Sequence, residues 1–127
     1  MATHGSTITQ IRSAAVPVAD QDAALDFYVG TLGFDVRIDT GPDPAGRWIE
    51  VAPSDAATTI ALIGTAEPGR TGVDTGIRLT ATDVNTDHAA LLAAGADVDA
   101  EISRWPGVPP MFSLRDPEGN TLYVLEG

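Results

Sequence analysis

Few residues in this chain can do chemistry, and the missing types narrow the field first. There is no cysteine, so disulfides, zinc–thiolate sites and thiol nucleophiles are excluded. All seven basic residues are arginine, and without lysine there is no Schiff-base chemistry. Of the two histidines, His4 lies in a small polar tail. His88 falls five places past a helix-capping aspartate, off the apolar seam, and reads as a surface residue. What remains are Glu50 in RWIEVA and Arg78 in GIRLTAT, both at strand positions, with Trp48 beside the first and Trp105 in the loop RWPGVPP. A carboxylate there serves as base or counter-ion, an arginine as a donor to developing negative charge, and a tryptophan as a stacking surface.

The elements that must hold these residues can be read from alternation and caps. A first strand is expected over residues 8–19, with Ala14, Val16 and Val18 on its apolar face and Ser13, Ala15 and Pro17 on the other. Asp20 is placed to cap a helix, Asp22 favours its positive end, and Gly33 stops it. Ala24, Phe27, Tyr28 and Leu32 fall at core spacing along that helix. Three strands follow at 34–40, 47–52 and 58–64, separated by the turn-formers of GPDPAG and PSDAA. Ile49 and Val51 take the core side of the middle one, which leaves Trp48 and Glu50 on the face that Ser13 occupies.

The second half repeats this plan. A strand from Gly76 turns Ile77, Leu79 and Ala81 inward and Gly76, Arg78 and Thr80 outward. Asp83 then caps a helix whose buried seam is expected to be Val84, Leu91 and Leu92, and Gly95 stops it. A strand at 98–102, a proline-rich loop at 104–110 and a hairpin turning at 116–120 complete the copy. In that hairpin Phe112 and Leu114 face the core, while Met111 and Ser113 face the opposite way. Each half is therefore strand, helix, then three strands.

A chain of 127 residues makes one domain, here read as a first module at 8–64, a linker at 65–75 and a second module at 76–126. A chain of this length buries roughly two-thirds of its unfolded surface. The net charge of −11 argues against nucleic acid as a partner and favours a cationic ligand over an anionic one. The N-terminal residues lack the pattern of a secretory signal, and no apolar run approaches the ~20 residues of a membrane span. The expectation is a cytoplasmic protein that engages neither membrane nor nucleic acid.

The pairing of VPVADQDAALDFYVGTLGF with a C-terminal FSLRDPEGNTLYV resembles the vicinal oxygen chelate superfamily, which includes glyoxalases, extradiol dioxygenases and bleomycin-resistance proteins. The resemblance implies an α+β fold in which two βαβββ modules form a curved mixed sheet, or open barrel, around a cavity. It also implies a homodimer, many members pairing modules so that both chains line each cavity. In metal-dependent members four strand positions supply His and Glu to a divalent ion. Counted from the motifs, those positions here are Ser13, Ala61, Gly76 and Tyr123. None is a His or Glu, so neither metal nor other cofactor is expected, and the usual glyoxalase or dioxygenase activity is disfavoured.

The vacated positions and their in-phase neighbours outline a ligand cavity of Ser13, Trp48, Glu50, Ala61, Gly76, Arg78, Ser113 and Tyr123, with Thr59 and Thr121 among them and Trp105 at its mouth. By alternation Glu50 is the acidic residue on that face. Two outcomes are open for its charge: it faces a ligand, or it pairs with Arg78 and the barrel is filled by Trp48 and Tyr123. The leading functional reading is a non-catalytic protein that sequesters a drug or natural product, cationic or planar and aromatic, as in antibiotic resistance of the bleomycin-resistance type. The alternative is a metal-free lyase or isomerase with Glu50 as base and Arg78 or Tyr123 stabilising an oxyanion. A metal-dependent enzyme follows only if the ligand positions lie elsewhere.

Overall fold

The computed structural model describes residues 5–41 and 46–127. His4 and the Pro42–Ala45 part of the GPDPAG turn lie outside the described residues. The first module runs β1 (Ser13–Val18), α1 (Gln21–Leu25), a π-helical stretch (Asp26–Thr31), β2 (Asp35–Asp39), β3 (Ile49–Ala52) and β4 (Thr59–Gly64). The second runs β5 (Asp74–Ala81), α2 (Val84–Ala93), β6 (Asp97–Val98), β7 (Met111–Arg115) and β8 (Thr121–Glu126). These strands form two mixed four-stranded sheets, ordered β1-β4-β3-β2 and β5-β8-β7-β6, in which β1 pairs parallel with β4 and β5 parallel with β8. Neither closes into a barrel. The expected duplicated α+β plan is present, and among the described residues no helix is long and apolar enough to cross a membrane.

Both capping aspartates act as expected. The Asp20 carboxylate accepts from the Ala23 N–H, and that of Asp83 from Asn85 and Thr86. The helices cover one side of each sheet, and the core lies between: Val16, Val18, Tyr28, Ile49, Val51 and Leu62 in the first module, Val84, Leu114 and Leu122 in the second, all with no exposed surface. Phe112 is 1% exposed, as its alternation with Ser113 requires.

Several local expectations are corrected. The first strand begins at Ser13 rather than at residue 8, since Ile8 and Ile11 are 86% and 74% exposed and have no apolar face to join. The first helix does not stay α-helical to Gly33. From Asp26 it widens into π geometry, with Phe27 and Tyr28 both buried within the wider turns. In α2 the buried seam is Val84, His88 and Leu91, while Leu92 is 48% exposed. His88 lies one helical turn from Val84 and one from Leu91, so period places it inward despite its polarity. Its ring meets Phe112 edge-on at 5.1 Å and its Nε2 lies 2.7 Å from the Asp99 carbonyl. The strand expected at 98–102 is reduced to β6 and a single bridge between Ser103 and Met111.

The hairpin turn between β7 and β8 joins the modules. Asp116 Oδ1 accepts from the Glu118 and Asn120 N–H groups, and Gly119 adopts φ +84°, a conformation that glycine reaches without Cβ strain. Asn120, fully buried, donates from Nδ2 to the Pro17 carbonyl and to Asp116, and accepts from the Val73 N–H. The Tyr28 hydroxyl donates to Asp116 at 2.9 Å. Burial, with the adjacent carboxylate, pushes the Tyr28 phenol well above its usual range. The Asp-Pro-Glu-Gly-Asn motif is thus a polar clasp across the fold.

Candidate binding site

The side of each sheet opposite its helix carries the residues that alternation singles out. On the first sheet Glu50 pairs in register with Ala61, Ala61 with Ala15, and Ser13 with Thr59, which gathers Ser13, Glu50 and Ala61 onto one face. Trp48, 44% exposed, leans over it. On the second sheet Arg78, Tyr123 and Ser113 stand in one row across β5, β8 and β7. Gly76 sits in the irregular stretch of β5 at φ +69°. Trp105 stands apart, 69% exposed, at the head of a turn in which Pro106 and Gly107 (φ +83°) let the Val108 N–H reach its carbonyl.

Glu50 is nearly sealed, at 2% exposure, with every contact a donor. Thr59 donates its hydroxyl to Oε1 at 2.7 Å, and Trp48 donates Nε1–H to Oε2 at 2.7 Å. The Arg12 guanidinium approaches Oε2 at 3.3 to 3.4 Å. The Trp48 and Thr59 bonds, with help from Arg12 and against burial, hold the Glu50 carboxyl below its usual range. A carboxylate so occupied is a poor proton acceptor, which counts against its use as a general base. Of the two outcomes open for its charge, the pairing with Arg78 is not formed, and Arg12 is the cation at Glu50. Arg78 instead lies 5.2 Å above the Tyr123 ring centroid and donates to the Gly76 carbonyl.

Glu50 is not the sole acidic residue on these faces. Tyr123 donates its hydroxyl to Asp74 at 2.7 Å, and this bond lowers the Asp74 pKa and raises that of Tyr123. Arg115, in phase with Ser113, bonds Asp97 at 3.0 Å and Asp99 at 3.1 Å, and Asp99 also accepts from the Ser113 N–H and hydroxyl. Burial would raise the Asp99 pKa, but the bonds from Ser113 and Arg115 together hold it low. Continuing the alternation two residues before Gly76 and two after Ser113 reaches Asp74 and Arg115. No local signal points to Arg12.

The four positions that would carry a divalent ion do not fit one. Ser13 offers a lone neutral hydroxyl, and Ala61 and Gly76 offer no side-chain donor. The Tyr123 oxygen is committed to Asp74 beneath a fixed positive charge on Arg78. Among the described residues no three His, Asp or Glu side chains converge as metal ligands. A cavity of about 420 Å³ lies elsewhere, between the modules, lined by Ala14, Phe34, Val51, Ile60, Ile77 and Leu79 among others. Of the predicted site residues Thr59 and Arg78 border it, and Ser13, Trp48, Glu50, Ala61, Gly76, Ser113 and Tyr123 do not.

Comparison with known proteins gives the same architecture. TnmS3, an antibiotic binding protein from Streptomyces sp. CB03234, is 34% identical, with a TM-score of 0.83 over 95% of this chain and 98% of that one. A glyoxalase/bleomycin resistance protein/dioxygenase superfamily member from Sphaerobacter thermophilus DSM 20745 is 32% identical, with a TM-score of 0.87 over 96% of this chain and all of that one (100%). Among curated proteins, the uncharacterized protein YetH of Bacillus subtilis (strain 168) is 40% identical over 55 residues, a match spanning 43% of this chain and 46% of YetH. The sequence profile of the Glyoxalase/Bleomycin resistance protein/Dioxygenase superfamily matches residues 10–124. With the duplicated βαβββ plan and a match over nearly its whole length, the chain belongs to the glyoxalase/bleomycin resistance protein/dioxygenase superfamily.

Proposed function

We propose that this protein binds and sequesters a planar aromatic drug or natural product in the cytoplasm, without a metal and without turning it over. The observation that carries the reading is that Ser13, Ala61, Gly76 and Tyr123, the positions counted as the metal-ligand set, hold no His or Glu, while the Trp48 indole beside them stays half-exposed. Trp48 and Trp105 are 44% and 69% exposed, and Tyr123 carries Arg78 on its ring. Such surfaces offer stacking area with a fixed polar contact from the exposed Arg78. The antibiotic binding activity of TnmS3, 34% identical, supports the same class.

The homodimer belongs to this proposal. On the second face Gly76 and Arg78 are exposed, on the first Glu50 and Ala61 are covered, and among the described residues the site positions are not gathered into one enclosed cavity. A second copy that set its second module against the first module of its partner would enclose both. Titrating tryptophan fluorescence with bleomycin-like and planar aromatic compounds tests the reading, with Trp48→Phe and Trp105→Phe to place the signal. Saturable quenching lost in one variant is expected. Quenching that stays linear with every compound, or a sedimentation mass of one chain in the ligand-bound state, counts against it.

A further inference from the structure

The environment of Glu50 carries an inference that rests on the binding reading and deepens it. A carboxylate whose side chain is 3% exposed needs donors to remain charged. Two of its donors, Thr59 and Trp48, are neutral and short, at 2.7 Å each. Among the described residues the single cation in contact is Arg12, and it is held loosely. Its nitrogens stand 3.3 to 3.4 Å from Oε2, and its side chain is 70% exposed. Arg47 shows what a locked arginine looks like in the same molecule, at 12% exposure with bonds of 2.8 to 3.0 Å to Asp22 and Asp39. Arg12 also precedes β1, on a segment tied by the Thr59 N–H to the Arg12 carbonyl and the Thr58 hydroxyl to the Ile11 carbonyl, with the side chains before it exposed. Its guanidinium can swing into solvent without breaking either tie.

We propose that Glu50 and Trp48 form a cation subsite, and that Arg12 fills it in the free protein as a tethered stand-in for a ligand's amidinium, guanidinium or ammonium group. A flat aromatic cation entering there replaces the Arg12 bonds to Oε2, keeps the Thr59 and Trp48 bonds intact, and lays its ring beside the half-exposed indole. The protein's charge of −11 draws such a ligand in, while Arg12 sets a threshold that neutral or weakly basic aromatics do not profit from crossing. Arg12 is thereby a specificity residue, and the ligand class narrows from planar aromatics to planar aromatic cations.

The test uses benzamidine and its uncharged isostere benzamide, read by the two indole N–H signals in nitrogen–proton correlation spectra of the full chain, with Trp105→Phe assigning Trp48. Benzamidine is expected to shift the Trp48 signal saturably and to bind about tenfold more tightly than benzamide. Arg12→Ala is expected to tighten benzamidine roughly fivefold, the scale of an ion pair whose cation is mostly exposed, and to leave benzamide unchanged. Glu50→Gln is expected to erase the preference. If Glu50→Gln does not fold, the Arg12→Ala titrations decide alone. Equal binding of both probes with no effect of Arg12→Ala overturns the cation subsite and leaves the sequestering reading standing. No shift of either indole by either probe overturns both.

Discussion

The hairpin turns that close the two modules hold equivalent places in the duplicated plan and bond in opposite directions. The turn between β7 and β8 sends its polar groups across to the other module, through Asn120 to Pro17, Asp116 to Tyr28 and Glu118 to the Asp20 N–H. The turn between β3 and β4 keeps its own at home: Arg37 donates to the Pro53 and Ala56 carbonyls, and Ser54 donates to Asp35. Where that turn meets the second module, Pro53 and Ala56 border the 420 Å³ cavity against Ile77, Leu79 and Thr80. One junction is closed by buried hydrogen bonds and the other is apolar and open. Duplication supplied the topology twice, but among the described residues the polar clasp forms at the second of these turns and not at the first.

The largest expected effect breaks that clasp. Asn120→Ala leaves the part-buried Pro17 carbonyl and Val73 N–H without their side-chain partner and strips one donor from the buried Asp116. At about 1 kcal/mol for each part-buried bond lost and somewhat more for the buried one, the loss should reach about 3 kcal/mol. Denaturant unfolding measures it. A loss under about 1 kcal/mol would mean that water replaces the amide and that the two junctions are alike after all.

The contrast also explains how much could be read before the fold was known. Asp20, Gly33, Asp83 and Gly95 mark helix ends through bonds and φ values that span a few residues, so the sequence carries them openly. The alternation that sends Phe112 and Leu114 inward and Ser113 outward is equally local. His88 was hidden because the expected seam ran through Leu92, and once Leu92 is exposed the helical period from Val84 to Leu91 puts His88 inward. The bond between Arg12 and Glu50 spans 38 positions, and that between Tyr123 and Asp74 spans 49, so neither leaves a trace in any short window. The count to Ser13, Gly76 and Tyr123 started from the Asp20 and Asp83 caps and the Asp-Pro turn, marks that are themselves local.

A middle-sized effect separates the candidate face from the clasp by pH. The Glu50 carboxyl is held below its usual range by Trp48, Thr59 and Arg12, and Asp99 is held low by Ser113 and Arg115. A folded-state pKa below the unfolded value gives stability that is complete above the unfolded value, near pH 4, and is lost as pH falls through the folded one. Stability should therefore decline below about pH 4, and Glu50→Gln should flatten part of that decline while costing about 1–2 kcal/mol at pH 7. Unfolding curves at pH 7 and pH 3 test this. A decline of unchanged steepness in Glu50→Gln would assign the acid sensitivity to Asp99 and the other carboxylates.

The smallest effect probes the open junction. Ala14 points toward the cavity from β1, beside Val51 and Ile60, and Ala14→Val adds two methyl groups of the branched type that strands favour. If the space belongs to the fold as an imperfectly filled seam, burying those carbons should stabilise the protein by about 0.5–1 kcal/mol, with no change in indole signals on ligand addition. Destabilisation would instead show that the walls are rigid and closely matched there. The open seam would then be as tightly specified by packing as the clasp is by hydrogen bonds, and the asymmetry between the junctions would lie in their chemistry alone.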